Sequence, residues 1–273
     1  MDPTRVVARQ AWRRGSPSFG SRSIPEETAV ALTYNGGTYA VMMATPRDLE
    51  DFAVGFSLSE GVVGAPADIC SLEVLPLDEG IELRMWLGKA KADQLRERRR
   101  HIAGPTGCGL CGIESIGEAM RPAAVVGIDR QFSAEQIMVA MQSLPSRQKL
   151  NIETRAVHAA AFWTPMQGIV ALREDVGRHN ALDKLAGTLA REKVNATAGA
   201  VLLTSRVSVE MVQKTAAIGA SVMVSVSAPT ALAIRMADAA GITLAAIARN
   251  DGFEVFTYPE RIAPRAPEHV NVA

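Results

Sequence analysis

From about residue 152 onward, short apolar segments typical of strands alternate with helix-like segments, and this alternation constrains the fold more than any other feature. The predicted strands cover residues 168–172, 198–203, 222–226, 242–247 and 253–257. The predicted helices between them cover residues 176–191, 208–219 and 230–240. Because the connections are short, the pattern predicts an α/β fold with a parallel sheet and right-handed crossovers.

The carboxyl ends of parallel strands meet at one edge of a sheet, where ligands bind in open α/β folds. The polar residues predicted at this edge are Arg173, Glu174, Asp175, Arg178, His179, Thr204, Ser205, Arg206, Ser225, Ser227, Arg249, Asn250 and Asp251. Arg178 and His179 open one helix and are a candidate anion site, unless His179 is only hydrogen-bonded in the seam between the domains. Ser205 and Arg206 precede another helix, where the loop is a candidate phosphate site or a capping loop with Ser208 as the cap. Asp183 and Lys184 are expected on a solvated helix face.

The first hundred residues show a different, α+β pattern. Asn35-Gly36-Gly37 separates two β-prone runs and predicts a hairpin over residues 28–43, and a second hairpin is expected over residues 71–87. Between them, Thr45 is the expected cap of a helix that ends at Gly61. The predicted layout is a flexible tail at 1–23, an α+β domain at 24–100, a connecting loop and helix at 101–130, an α/β domain at 131–262 and a tail at 263–273.

Two of the three cysteines lie in the motif Gly107-Cys108-Gly109-Leu110-Cys111-Gly112. Glycines beside a thiol give bulky electrophiles access to the sulfur, so the motif indicates a reactive site. Zinc binding is disfavoured, because four ligands are needed and only Cys70 and four scattered histidines remain. Dithiol redox chemistry, sulfur transfer through a persulfide and two ordinary turn residues remain open. Cys70 is expected to be a small buried residue in or beside a strand.

Composition excludes several classes of protein. Lys and Arg number 29, as do Asp and Glu, which argues against nonspecific nucleic-acid binding. An odd cysteine count suits a reducing compartment, so the cytoplasm is expected. The charge-free segment at 215–234 contains Gly219, Pro229 and serines, which favours a buried strand and helix over a membrane span. The chain also lacks a nucleotide-binding P-loop and a Gly-x-Gly-x-x-Gly motif after a strand.

Several long motifs together resemble one family. They are Thr106-Gly107-Cys108-Gly109-Leu110-Cys111-Gly112, Glu174-Asp175-Val176-Gly177-Arg178-His179-Asn180-Ala181-Leu182-Asp183-Lys184, and Ser205-Arg206-Val207-Ser208-Val209-Glu210-Met211-Val212-Gln213-Lys214. With Ser227-Ala228-Pro229-Thr230 and Tyr258-Pro259, they resemble the formate dehydrogenase accessory sulfurtransferase family, FdhD, over roughly residues 20–262.

The resemblance implies a specific chemistry. Members of that family accept sulfur from a cysteine desulfurase as a persulfide and deliver it to the bis-guanine-dinucleotide molybdenum cofactor of formate dehydrogenase. Cys108 matches the persulfide carrier and Cys111 its neighbour. The guanine-dinucleotide contact matches Ile247, Ala248, Arg249, Asn250, Asp251 and Gly252. Ile247 and Gly252 differ from the aromatic residue and the second Arg that members often have there.

The resemblance also implies a fold and an assembly. The second domain is expected to be an αβα unit similar to cytidine deaminases, but the zinc signature of those enzymes is absent, so deamination is not implied. Paired subunits are expected, without nucleic-acid or membrane partners and without a structural metal. Two other functions remain open: a non-covalent chaperone that binds the guanine dinucleotide without persulfide chemistry, and a dithiol redox switch.

Overall fold

Two main sheets organise the part of the chain that the computed structural model describes, which is residues 1–102, 120–127 and 130–263. The strands are β1 (Thr4–Arg13), β2 (Ser16–Pro25), β3 (Thr28–Tyr34), β4 (Gly37–Ala44), β5 (Ile69–Leu77), β6 (Gly80–Leu87), β7 (Phe132–Ser133), β8 (His158–Thr164), β9 (Gly168–Asp175), β10 (Ala200–Leu203), β11 (Val222–Ser225), β12 (Thr243–Arg249), β13 (Gly252–Val255) and β14 (Ile262–Ala263). The helices are α1 (Leu49–Ser59), α2 (Lys89–Ile102), α3 (Ala134–Ser143), α4 (Lys149–Thr154), α5 (Arg178–Arg191), α6 (Val209–Ile218) and α7 (Ala231–Ala239).

The larger sheet has six strands in the order β13-β12-β11-β10-β8-β9. Only the central strands β10, β11 and β12 are parallel neighbours, whereas β8 and β13 run antiparallel to the strands beside them. The prediction of a parallel sheet is therefore right for β10, β11 and β12 and wrong for the pairing of β8 and β13 with their neighbours. Strand β8 was not predicted, because its alanine-rich apolar run lacks the alternation of a half-exposed strand.

The carboxyl ends of β9, β10, β11 and β12 nevertheless point to the same edge. Strand β9 is antiparallel to β8, and β8 is antiparallel to β10, so β9 runs in the direction of the central strands. The predicted convergence of the loops after these four strands is therefore confirmed, with the start of β8 inserted between them. This arrangement positions the candidate site described below.

Helices cover both faces of the larger sheet. Side chains of α5, α6 and α7 pack on one face, where Met211 contacts the core that includes Leu203. Helix α3 covers the other face, where Ile137 belongs to the same cluster as Leu202. Adjacent residues of β10 thus point into different cores, as the two-residue period of a strand requires. The result is the three-layer αβα arrangement predicted for this region.

The smaller sheet, in the order β4-β3-β6-β5, contains both predicted hairpins. Helix α1 packs on it through Phe52 and Phe56. The helix begins at Leu49 after Asp48, so the prediction of Thr45 as its cap is wrong. Thr45 instead bonds across to the other half of the molecule, where its backbone amide donates to Asp175 Oδ2 at 3.0 Å.

The expected tail at 1–23 is instead the β1–β2 hairpin, in which ten residue pairs are in register. Its two-residue turn consists of Arg14 and Gly15, both with positive φ (50° and 80°), which matches the right-handed twist of the flanking strands. The turn is a local signal that the sequence analysis missed. We name this element the N-terminal hairpin.

Helices α1 and α5 join the two halves at very close range. A Cβ added at Gly55 would lie 1.7 Å from the backbone oxygen of Asp183, and one added at Gly187 would lie 1.9 Å from that of Asp51. Only glycine permits this backbone approach. Among the described residues, no helix is both long and apolar enough to cross a membrane, and the segment at 215–234 contains the buried strand β11 as predicted.

Candidate functional site

The loops after β10 and β11 run side by side at the carboxyl edge of the larger sheet. Val207 and Pro229 form a parallel bridge, and the backbone amide of Thr230 donates to the Val207 oxygen at 3.0 Å. The Ser225 hydroxyl donates to the Ser205 backbone oxygen, which ties the two loops together. The predicted edge segments at 204–208 and 225–230 are therefore neighbours in space.

Arg178 and His179 occupy the first turn of α5 at this edge, and both are half-buried. Arg178 Nε and His179 Nε2 are shielded from solvent, and neither has a hydrogen-bond partner among the residues that the structure describes. His179 Nε2 lies 3.7 Å from Glu210 Oε2, which is too long for a hydrogen bond. Unsatisfied buried donors are costly, so these atoms indicate a place for a polar ligand.

Burial and the neighbouring Arg178 favour the neutral ring of His179 near neutral pH. Burial and the positive charge of Arg178 lower the pKa of His179 below its usual range, although the Glu210 carboxylate opposes this. Burial also acts on Glu210, but the hydrogen bond from the Ser208 hydroxyl helps to hold the pKa of Glu210 below its usual value. The pair is therefore a neutral imidazole beside a carboxylate.

His158 is a residue at this edge that the sequence analysis did not include in the site. It opens β8 and stands opposite Asp175 of β9 in the sheet register. Burial and the nearby Arg178 lower its pKa as well. Because β8 was not predicted, no sequence signal placed His158 beside the α5 start.

The segment Ile247 to Gly252 ends β12 next to the same loops. The Ile247 amide donates to the Ser227 backbone oxygen at 3.2 Å, and Ile247 has a φ of 54°, which is rare for a β-branched residue. This conformation coincides with the irregular pairing between β12 and β13. Arg249, Asn250 and Asp251 beyond it are exposed.

Not every predicted contact residue is accessible. Ala248 is 4% exposed and belongs to the core under α3. Ser205 is also 4% exposed, and its hydroxyl is bonded locally to the Arg206 oxygen. Arg206 itself is exposed. The geometry thus brings Arg178, His179, Arg206 and Arg249 to one edge, whereas Ser205 and Ala248 form the framework beneath them.

Asp183 and Lys184 do not lie on a solvated face, so that prediction is wrong. Lys184 is fully buried, with its Nζ 2.6 Å from Asp175 Oδ2 and 2.8 Å from the Thr45 oxygen. Burial lowers the pKa of Lys184, but the Asp175 carboxylate favours its charged form. The packing of α1 against α5 covers this side of the helix, which the helical pattern alone could not reveal.

Asp183 forms a second buried cluster with Lys214, whose Nζ lies 2.8 Å and 3.0 Å from the two carboxylate oxygens. Burial alone would lower the pKa of Lys214, but the charges of Asp183 and Glu60 raise it above the usual range. The Ser59 hydroxyl donates to Asp183 Oδ1 at 2.6 Å, which completes the cluster. Asp183 and Lys184 thus both anchor α5 to its surroundings.

The chain that follows the cysteine motif passes close to this cluster. Arg121 donates to the backbone oxygens of Ser59 and Glu60 at 3.0 Å and 3.2 Å, and its own oxygen accepts from Gln213 Nε2 at 2.7 Å. Glu60 and Lys214 both influence the pKa of His179. Residue 121 is therefore held beside the group of charges that surrounds the α5 start.

Cys108 and Cys111, with most of the predicted connecting loop and helix at 101–130, lie outside the described residues, so the predicted role of these cysteines stays a prediction. Cys70 is described, and it is exposed on β5 as a free thiol, so the expectation of a buried residue is wrong. Within the described ranges, no group of three or more His, Cys, Asp or Glu side chains is arranged to bind a metal ion.

Comparison with known proteins identifies relatives over nearly the whole chain. The profile of the FdhD/NarQ family matches residues 25–263. The sulfur carrier protein FdhD of Agrobacterium fabrum is 53% identical over 259 residues, which cover 94% of this chain and 96% of that protein. The sulfur carrier protein FdhD of Cupriavidus necator is 50% identical over 256 residues, or 93% of this chain and 88% of that protein.

A solved structure supports the same assignment. The crystal structure of a formate dehydrogenase accessory protein from Desulfotalea psychrophila superposes with a TM-score of 0.73 at 25% sequence identity. The superposition covers 96% of this chain and 100% of that one. Sequence and fold therefore agree over nearly the whole chain, and the chain belongs to the FdhD/NarQ family.

Proposed function

We propose that this protein is a sulfurtransferase that carries sulfur as a persulfide on Cys108. In this proposal a cysteine desulfurase supplies the sulfur, and the acceptor is the molybdenum cofactor with two guanine dinucleotides that formate dehydrogenase requires. The names of the relatives, sulfur carrier protein and formate dehydrogenase accessory protein, support this role. The observation that carries it is the pair of buried, unpartnered nitrogen atoms on Arg178 and His179.

The sheet edge suits the phosphates and the guanine of such a cofactor. Arg178, Arg206 and Arg249 come from three separate loops, and the first turn of α5 adds backbone amides that favour anions. The unpartnered Arg178 Nε can donate to a phosphate oxygen, and the neutral His179 ring can either donate or accept. Exposed Arg249 can bond a phosphate at the other side of the same edge.

The described chain that follows the cysteine motif is anchored near this edge. Cys111 precedes Met120 by nine positions in the sequence, and Arg121 is fixed to the end of α1 and to α6. Since an extended chain covers up to about 3.5 Å per residue, the cysteines can reach the α5 start from that anchor. This reach lets one protein bind the nucleotide part of the cofactor while presenting a thiol to its metal.

The loading step is an exchange between a thiolate and a persulfide, and it needs no further reactant. The Cys108 thiolate attacks the outer sulfur of the desulfurase persulfide, the donor S–S bond breaks and the donor cysteine leaves as a thiolate. Cys108 then carries the sulfur for transfer to the molybdenum centre. Cys111, three residues away, is the second thiol: when its thiolate attacks the Cys108 sulfur, the persulfide S–S bond breaks, a Cys108–Cys111 disulfide forms, and the outer sulfur leaves as sulfide for the acceptor.

Mass spectrometry of the intact chain tests the covalent step. After incubation with a cysteine desulfurase and cysteine, we expect wild-type protein and Cys70→Ala to gain the mass of one sulfur atom, because the exposed Cys70 is not the carrier. The variant Cys108→Ala should gain none. A persulfide on Cys70 alone, or an unmodified wild-type chain that still activates formate dehydrogenase, would exclude the proposal in favour of non-covalent cofactor delivery.

The remaining features of the proposal follow from this chemistry. Persulfide transfer needs a reducing compartment, so we place the protein in the cytoplasm. A cofactor with two guanine dinucleotide halves presents two similar ends, and two copies of the chain offer two similar edges. We therefore include a homodimer in the proposal.

A further inference from the structure

The N-terminal hairpin has two chemically different faces. Residues paired directly across an antiparallel ladder point to the same side. One face is formed by Thr4, Val6, Ala8, Gln10 and Trp12 with their partners Pro25, Ser23, Ser21, Phe19 and Pro17, and it carries no charge. The other face carries Arg5, Arg9 and Arg13 of β1 and Arg22 of β2. No acidic residue occurs between Thr4 and Pro25.

The uncharged face is not covered. Val6 is 71% exposed, Trp12 is 68% exposed and Phe19 is 84% exposed. The hairpin is held to the rest of the molecule near its base, where Arg22 donates to the Thr154 oxygen and the Ser23 hydroxyl bonds the Glu153 carboxylate. A two-stranded hairpin is only marginally stable in water on its own, so a partner surface that covers these side chains would stabilise it.

An acidic cleft lies at the base of the same hairpin. The cleft has a volume of about 610 Å³. The carboxylates that line it belong to Asp2, Glu26, Glu27, Asp78 and Glu79. The only arginine in its lining is Arg5, whose guanidinium is 4.0 Å from Glu26. The cleft therefore has the opposite charge to the hairpin tip, where Arg13 and Arg14 are exposed.

We infer that two copies of this chain pair through their N-terminal hairpins, face to face and in opposite directions around a twofold axis. Ten residues of strand extend about 34 Å, so an antiparallel pair brings each tip to the base of the other. The faces with Trp12 and Phe19 then cover each other, and Arg13 and Arg14 meet the acidic cleft of the second copy. Such an interface is self-complementary, as a twofold dimer requires. The inference specifies the surface of the proposed homodimer and does not depend on sulfur transfer.

The cleft also argues against other occupants of the hairpin. Arginines beside exposed aromatic side chains are typical of nucleic-acid and anionic membrane surfaces. However, the five carboxylates at the base would repel phosphate groups that follow the hairpin along its length. A second copy of the chain supplies an acidic cleft for the basic tip and a basic tip for the acidic cleft.

Sedimentation velocity of the full chain at low salt tests the apolar contact. From about 1 µM to about 100 µM, the range of transient interfaces, we expect wild-type protein to form dimers. Trp12→Ser with Phe19→Ser should raise the dissociation constant at least about tenfold, because buried aromatic anchors dominate interfaces. The control Met166→Ser removes an apolar side chain that is 89% exposed between β8 and β9, and it should leave dimerisation unchanged.

Charge reversal tests the direction of the pairing. Arg13→Glu with Arg14→Asp reverses the tip, and Glu27→Arg with Asp78→Arg reverses the cleft, so each double variant alone should remain monomeric. An equimolar mixture of the two should form heterodimers, because both tip-to-cleft contacts are then between opposite charges. This rescue also shows that both double variants are folded.

The outcomes separate this surface from the wider proposal. A wild-type chain that is monomeric over the whole range would overturn both the dimer and its surface. A wild-type dimer that survives the hairpin and cleft variants would overturn the surface alone. Neither result affects the persulfide on Cys108, which the mass measurement reports independently.

Discussion

The first and second turns of helix α5 contain polar residues in opposite situations. Arg178 and His179 are half-buried, and each has a side-chain nitrogen atom without a hydrogen-bond partner in the described part of the chain. Asp183 and Lys184, only one turn later, are buried and fully paired, the first with Lys214 and the second with Asp175. Buried charge that is satisfied within the protein serves the fold, and buried polarity that is left open serves a ligand. The contrast assigns different tasks to residues of one short motif.

The largest expected effect concerns the paired region. Lys184→Met leaves Asp175 as a buried charge without its cation, so we expect the free energy of unfolding to fall by about 3–5 kcal/mol. Urea unfolding followed by circular dichroism measures this. Lys89→Met, at the exposed start of α2, is the matched control and should change stability by less than about 0.5 kcal/mol. A loss below about 1 kcal/mol for Lys184→Met would contradict the view that the buried pairs of the second turn stabilise the fold.

The next effect concerns the unpaired region. If Arg178 donates the proposed charged hydrogen bond to a phosphate, Arg178→Met removes it, so we expect guanosine diphosphate to bind about tenfold to 100-fold more weakly. Isothermal titration calorimetry measures the affinity, and Arg235→Met on the exposed side of α7 is the control. Stability should be nearly unchanged, in contrast to Lys184→Met. An unaltered affinity would show that the open nitrogen atoms do not contact the nucleotide.

The smallest effect is the pH dependence that His179 contributes. Its pKa is lower in the folded protein than in the unfolded chain, so the unfolded chain binds the proton more readily. The free energy of unfolding should therefore be unaffected by His179 above about pH 6.5 and should fall as the pH drops below that value. His179→Gln should reduce this acid loss, because glutamine does not take up a proton in the unfolded chain. His158 shifts in the same direction, so His158→Gln should reduce the loss independently. An unchanged pH profile in both variants would contradict the neutral rings.

Local signals predicted much of the fold. Asn35-Gly36 and Asp78-Glu79 form the turns of the two predicted hairpins, and the helices predicted from Ser208 and Thr230 begin one residue later, at Val209 and Ala231. These features depend on residues that are close in sequence. Strand β8 and the antiparallel edges of the sheet depend on long-range pairing, which a single sequence does not display.

The candidate site was predicted to a similar degree. The common location of four residues could be predicted, because each follows a strand that runs in the same direction as the others. These residues are Arg178, His179, Arg206 and Arg249. The burial of Asp183 and Lys184 could not be predicted, since it results from α1, more than a hundred residues earlier in the chain. His158 was missed for the same reason as β8. Local sequence patterns thus failed to predict the residues whose surroundings are set by contacts with distant parts of the chain.

The glycine contact between α1 and α5 has a consequence for how the protein can be divided. Backbone touches backbone at Gly55 and Gly187, and no layer of side chains separates the two helices. Sliding of one half over the other would bring carbonyl groups into collision. Either half expressed alone would expose a narrow trough shaped for its missing counterpart. The two halves therefore depend on each other for folding. A chimera that replaces one half would need a helix that still fits its counterpart at Gly55 or Gly187.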